Sequence, residues 1–388
     1  MTYVYDCGSI NPRANRMSLS REIAEFGARM DSLDAEVDVM FISHFDEDHV
    51  FGIPELTRRV KVRTFIIPMI PGADRLLFYA DAVASGTMTP GSGSFYERFL
   101  SDPVETLRET GAERVIEVPQ GLPPNDGQIE DEVIHYEDLA PDLPSRGSGP
   151  AGEDVELKVT VRSATISRAR DVVWEWRYSQ SEQATSVTSE LSDELIALGS
   201  ILTASDLEDP SIVKSLVQND VVNLIKAYRV AIATVGSSFT LNLSSLMLYS
   251  GPPVSGTCIA HRSRTWIDRA EVGAWGARPA FLGLGDADIR SNGRLDHVKN
   301  VFKSRHFRVG TFAPSHHGSH RDWDVSLLDG LGGGAPFRPT LVFGASGAHG
   351  HPHHNVLLEA NEAGATTLIV GLEERSRWTE SFTAFYQP

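Results

Sequence analysis

Apolar positions along the chain fall into two registers. Short β-branched or aromatic runs bounded by Gly, Pro or Asp recur at 2–6, 37–43, 62–68, 238–249, 279–284, 308–313, 339–344 and 366–371. Each reads as a buried strand. Between them the apolar spacing changes to three and four, which predicts helices over 19–30, 74–84, 95–110, 188–200, 208–230 and 354–363, the last opening behind Pro352. Strands alternating with helices predict an α/β fold. The acidic, Pro- and Gly-rich stretch 119–156 breaks the pattern and reads as an exposed excursion. With the mostly helical run 180–230 it predicts an insertion over approximately 90–235, an acidic loop plus a helical cap, within a single domain of 1–388.

Composition narrows the class. The 388 residues are 41% hydrophobic and carry 35 Lys+Arg against 52 Asp+Glu, a net charge of −17. That excludes disorder, collagen and coiled coil, and it argues against a surface coated in positive charge for wrapping nucleic acid. The best candidate for a membrane span, Val221–Val235, is interrupted by Asn223, Lys226 and Arg229, so no membrane segment is expected. Two cysteines, Cys7 and Cys258, cannot build a disulfide framework, and a cytoplasmic location is expected.

The chemistry concentrates where strands end. In FISHFDEDHVFGIP (41–54) an apolar strand runs into His44, Asp46, Asp48 and His49 within six positions. A tight loop there can turn these side chains onto one point, and imidazole plus carboxylate is the ligand set of divalent metal sites. A second cluster, PSHHGSH (314–320), again follows a strand. Adjacent histidines are not expected to face the same way, so one of His316 and His317 would bind metal while the other orients substrate or donates a proton. Asp286 ends the apolar run FLGLGD, where a carboxylate could bridge two ions. GAHGHPHHN (347–355) sets four histidines, His351 among them, in a loop before the last helix. All four clusters share the strand-end placement at which open α/β sheets put their ligands.

Taken in order, HxDxDH (His44, Asp46, Asp48, His49), NxxSLxL (Asn242, Ser245, Leu246, Leu248), GD (Gly285, Asp286), HHGS (His316 to Ser319) and GHPH (Gly350 to His353) resemble the metallo-β-lactamase fold. More narrowly, they resemble the branch typified by the soluble hydrolase domain of the DNA-uptake protein ComEC. Tyr3–Asp6 with Gly8 looks like that family's opening strand and turn. The resemblance implies a four-layer αβ/βα sandwich with a dinuclear metal centre. His44 and Asp46 would hold one ion and Asp48 and His49 the other, with Asp286 bridging and His316 completing the second site. It also implies that His317 and His351 lie against the scissile group, with Asp48 counted beside them as catalytic. Asn242, Ser245 and Ser319 would bind substrate. Carrying Asp46 where the wider family has His, and Asn242 and Ser245 where it has a further His, the chain favours the ComEC branch. The added carboxylate makes the site harder, which shifts the expected ions from Zn²⁺ toward Mn²⁺ or Mg²⁺.

Such a centre suits phosphodiester hydrolysis, because paired ions stabilise both attacking and leaving oxygens. Phosphates also need cations, and the chain offers Lys299, Lys303, Arg305 and Arg308 in one cluster and Arg262 and Arg264 in another. Trp266 or Trp323 could stack a base. The expected function is a phosphodiesterase or nuclease, with single-stranded nucleic acid as a candidate substrate. Alternatives are hydrolysis of a small phosphoester, cyclic nucleotide or β-lactam-like amide, or a catalytically silent metal-binding module whose insertion binds a protein partner.

Overall fold

The computed structural model describes residues 2–9, 13–120, 155–159, 163–168, 171–180, 186–235, 245–253, 258–266, 269–271, 275–276, 278–290, 294–331, 338–345, 350–371 and 378–386. The fold is mixed α/β, and the chain divides into two compact units, each built from two separate stretches. Among the described residues no helix is long and apolar enough to cross a membrane.

The first unit takes Met1–Gln120 and Glu182–Ser244. Its sheet is wholly parallel, in the order β1 (Tyr3–Tyr5), β2 (Val37–Phe41), β3 (Val62–Pro68), β4 (Arg114–Val118). Parallel strands need crossovers. These are α1 (Arg13–Ser32) after β1, α2 (Glu47–Val50) and α3 (Ile53–Arg59) after β2, and α4 (Gly72–Ala84), α5 (Phe95–Ser101) and α6 (Pro103–Arg108) after β3. The predicted helix 95–110 is two helices because Asp102 caps α6, its side chain taking the Glu105 amide, with Pro103 at the first helical position. Helices α7 (Ser186–Ala197), α8 (Pro210–Asn219) and α9 (Val221–Val235) follow. Leu191, Leu195, Val213, Leu216, Leu224 and Ala227 share one core with Leu76, Leu77 and Phe78 of α4. The run 208–230 breaks at Asp220, where α8 ends and α9 begins.

The second unit takes Gly121–Ser181 and Ser245–Pro388. Strands β5 (Val155–Val159), β6 (Ser163–Arg168), β7 (Asp171–Gln180) and β8 (Leu246–Gly251) form an antiparallel meander. A small separate sheet joins β9 (Cys258–Trp266) to β10 (Arg269–Glu271), β11 (Trp275–Gly276) and the last strand, β16 (Trp378–Tyr386). The meander continues into the parallel strands β12 (Ala280–Gly283), β13 (Val309–Ala313), β14 (Thr340–Gly344) and β15 (Thr366–Val370), giving eight strands in the order β15-β14-β13-β12-β8-β7-β6-β5. Helix α10 (Arg294–Val301) lies between β12 and β13, and α11 (His354–Glu362) between β14 and β15. Val298, Phe302, Val356 and Ala360 pack on Met247, Tyr249, Leu282 and Phe312.

The stretch 90–235 is divided between the two units: among the described residues, 95–118 hold α5, α6 and the edge strand β4 of the parallel sheet, 155–180 hold three strands of the mixed sheet, and 186–235 hold α7 to α9. Residues 121–154, most of the predicted acidic excursion, lie outside the described residues.

Candidate functional site

In the first unit the sequence VDVMFIS leaves β2 and turns directly into the ligand-rich loop. Asp6 ties down that turn from the end of β1. Its amide donates to the Phe41 carbonyl, and its two carboxylate oxygens take the Ser43 amide at 2.6 Å and His49 Nδ1 at 2.9 Å. Asp6 itself holds φ at +58°, a conformation Asp adopts more readily than most residues. Ser43 Oγ sits 3.1 Å from Nδ1 of both His44 and His49. With Nδ1 of each ring engaged on Ser43 or Asp6, Nε2 is the nitrogen that could hold an ion. His44 is fully buried and His49 nearly so, their rings 3.8 Å apart. Gly8 is required here, because a Cβ would collide with the Asp48 carbonyl.

Around those rings the carboxylates stand at coordination spacing. Two donors about 2.1 Å from one ion at a tetrahedral angle lie about 3.4 Å apart. His44 Nε2 is 3.4 Å from Asp46 Oδ2, and His49 Nε2 is 3.8 Å from Asp48 Oδ1. His44, Asp46 and Asp48 each offer a ligand atom within 4.8 Å of the others, and this mixed nitrogen and oxygen set fits a divalent ion. Tyr96 of α5 is buried near this loop. Burial first, and then the negative charges of Asp46, Glu47, Asp48 and Asp81, push its phenol well above the ordinary value, so it stays protonated.

In the second unit the corresponding residues lie beyond the C-terminal ends of β12 and β13. Asp286 follows Gly285, whose φ is +57°, and its own amide donates to Ser245 Oγ at 3.0 Å. After β13, Pro314 and Ser315 lead into three successive left-handed residues, His316 (φ 49°), His317 (φ 52°) and Gly318 (φ 84°). The His316 amide is held by the Gly285 carbonyl at 2.9 Å. His316 Nδ1 meets Asp322 Oδ2 at 3.0 Å, and its Nε2 faces Asp286 Oδ2 at 3.7 Å. His317 Nε2 lies 4.0 Å from Asp286 Oδ1. The expectation that adjacent histidines diverge is corrected: the left-handed backbone at both positions brings both rings to opposite oxygens of one carboxylate. His351 joins them, its ring centroid 5.2 Å from that of His316.

No protein-family model matches the chain, and no curated protein matches it in sequence.

The residues expected to bind substrate fare differently. Ser245 is fully buried, and its hydroxyl receives the Asp286 amide, so it positions that carboxylate. Ser319 is also buried and closes the HHGS turn through its amide on the His316 carbonyl at 2.9 Å. Arg305 is buried and doubly bonded to Glu175 of β7, at 2.6 and 3.3 Å, so its charge is neutralised inside the unit. Arg308 is buried too, its guanidinium 4.9 Å from the Phe307 ring centre. Neither arginine presents its charge to solvent as a phosphate ligand would. Trp323 belongs to the core and donates to Glu359, so it offers no stacking face. Asn242 and the side chains of Arg262, Arg264 and Trp266 lie outside the described residues.

Sequence reasoning assigned no role to Asp6, Ser43 and Asp322, which hold the imidazoles in place. A carboxylate six residues beyond His316 was the one local signal for Asp322. Asp6 offered only its place in the opening strand-and-turn element, since it reaches His49 across 43 positions.

Proposed function

We propose that the chain is a metal-dependent hydrolase of phosphodiesters, built on a metallo-β-lactamase-like αβ/βα plan and nearest in design to the ComEC hydrolase branch. What supports this reading is one arrangement present in each unit. A histidine has Nδ1 bonded to one carboxylate and Nε2 set 3.7 to 3.8 Å from a second, as in Asp6–His49–Asp48 and Asp322–His316–Asp286. Carboxylates behind ligating imidazoles fix the tautomer and raise the basicity of the ligand, which a solvated turn would not need.

On this reading His44, Asp46, Asp48 and His49 hold metal in the first unit, and Asp286 and His316 in the second. Three imidazoles and three carboxylates suit Mn²⁺ or Zn²⁺, with Mg²⁺ as the harder alternative. When bound, such ions supply charge neutralisation and a water acidic enough to attack near neutral pH. The remaining work belongs to the chain. Asp322 and Asp6 keep His316 and His49 aligned, Ser245 orients Asp286 through its amide, and His317 or His351 donates a proton to the departing oxygen, a contribution of about 10²–10⁴-fold.

A small phosphodiester or cyclic nucleotide is the second reading, favoured by a specific observation. Arg305 and Arg308 are internal, and Lys299 bonds Ser326 at 2.8 Å, so three of the four cations in the cluster before HHGS are engaged or buried in a protein of charge −17. Assaying single-stranded DNA, RNA, a cyclic dinucleotide and bis(p-nitrophenyl) phosphate with Mn²⁺ separates the two. Polymer cleavage that falls 10²-fold or more in His317→Ala supports the nuclease. Turnover of the small esters alone selects the second reading, and no turnover of any phosphodiester overturns both.

A further inference from the structure

The last residue of β14 is a glycine that its backbone does not demand. Gly344 pairs in register with Val370 of β15, and its φ lies outside the left-handed region. Glycine weakens a strand, and it is kept where another group approaches the bare backbone closely. A Cβ on Gly344 would meet His317 Nδ1 at 3.0 Å, Cε1 at 3.7 Å and Cγ at 3.8 Å, so its three nearest neighbours all belong to one imidazole. Gly344 is otherwise exposed, and a methyl group there displaces none of the core.

The ring has no room to retreat with its own backbone. The Gly285 carbonyl holds the His316 amide at 2.9 Å, and the Gly318 carbonyl accepts the His353 amide at 3.0 Å. The space that a Cβ on Gly318 would need is filled by the Phe343 ring at 2.6 Å and Pro352 at 3.0 Å. Relief of a contact at position 344 is therefore left to the side-chain torsions of His317, and these swing its Nε2 across Asp286 Oδ1, 4.0 Å away.

We propose that Gly344 is a positioning residue: its bare Cα seats the His317 ring with Nδ1 against β14, so that Nε2 faces Asp286 and is the atom that hands a proton to the departing oxygen. The chemistry rests on the hydrolase reading, which it narrows from a choice of two histidines to one nitrogen of His317. The consequence is a rate effect that runs through a single ring. Easing a 3.0 Å contact to ordinary spacing moves the ring by about 0.5 Å, and at roughly 10²-fold per Å of misplacement that costs about 10-fold in rate.

Rate and ring position are read separately on the full chain. With bis(p-nitrophenyl) phosphate and Mn²⁺, Gly344→Ala is expected to lower kcat about 10-fold with KM and bound Mn²⁺ unchanged, and to lower it no further in the His317→Ala background. A 10-fold loss that persists without the His317 ring, or a wild-type kcat in Gly344→Ala, overturns the proposal. Without added metal, NMR on histidine-labelled chain should show contact between the His317 ring protons and the Gly344 α-protons. Gly344→Ala should then shift the His317 ring signals more than those of any other histidine, and unmoved His317 signals overturn the proposal equally. A wild type that turns over nothing defeats the hydrolase reading alone, and the ring signals still decide whether Gly344 places His317.

Discussion

The two units present similar clusters of histidine and aspartate by opposite backbone means. In the first, His44, Asp46, Asp48 and His49 occupy a loop and a short helix, α2, and the one left-handed residue that supports them, Asp6, is a residue type that tolerates that region. In the second, the proposed site residues themselves are left-handed: His316 and His317 both take φ near +50°, a conformation costing roughly 1–2 kcal/mol for a side chain with a Cβ. The first arrangement is a dense local sequence on relaxed backbone. The second is a strained turn held by long-range bonds, the His316 amide on Gly285 and the Gly318 carbonyl on His353. Such strain persists only where the surrounding structure holds it in place, as the two long-range bonds do here.

The largest expected contrast is in the response to pH. Burial, and then Lys303, lowers His306 of unit two from 6.5 to about 4, so the folded chain keeps it neutral. As the pH falls from 6.5 to 4 the unfolded chain takes up a proton that the folded chain refuses, and unit two loses up to about 3 kcal/mol. Asp74 of unit one moves the other way. Burial raises it from 3.8 to about 6, opposed by the Thr188 hydroxyl, so the folded chain retains a proton that the unfolded chain releases. Its stabilising effect is complete below pH 3.8 and disappears as the pH rises through 6, a change of the same order. Hydrogen exchange read separately in the two units should show protection falling on acidification near His306 and rising near Asp74. Asp74→Asn should abolish the second trend, and parallel responses in both units would break the contrast.

The supporting carboxylates give the next effect. Asp322→Asn and Asp6→Asn should each lower metal affinity by about 10–100-fold, read by competition with a chelator dye. Of the corresponding alanine variants, only Asp6→Ala should also lower the melting temperature, because it removes the acceptor of the Ser43 amide as well as the partner of His49. Equal thermal loss in both variants would contradict the difference drawn between the units.

The smallest effect concerns strain. His317→Gly should stabilise unit two by about 1 kcal/mol, through relief of the left-handed penalty, while activity falls. His49→Gly, inside α2, should destabilise. Melting curves of the two variants check the opposed signs.

What was legible in the sequence follows from the same contrast. Strands β2, β3 and β12 to β14 are largely buried apolar runs and were read within one or two residues, because parallel strands covered by helices lack the alternation of an exposed face; β15 was read as closely from its β-branched run, although it is partly exposed. The loop 44–49 was legible because its ligands are adjacent in sequence. β4, β5 to β7, β9 to β11 and β16 were missed. RVIEV and DVVWEWRYSQ mix charge with apolar residues, and their place is set by partners such as Glu175 with Arg305, 130 positions apart. The convergence of His316 and His317 depends on backbone angles that residue types do not announce, and the tethers Asp6 and Asp322 act through folding rather than spacing.

Metal content tests the central claim most directly. After loading with Mn²⁺ and removal of free ions, the account predicts about two ions per chain in the wild type, and well below two in both Asp48→Ala and Asp286→Ala, with folding intact by circular dichroism. A wild type that retains no ion, or variants that retain as much as the wild type, would contradict it.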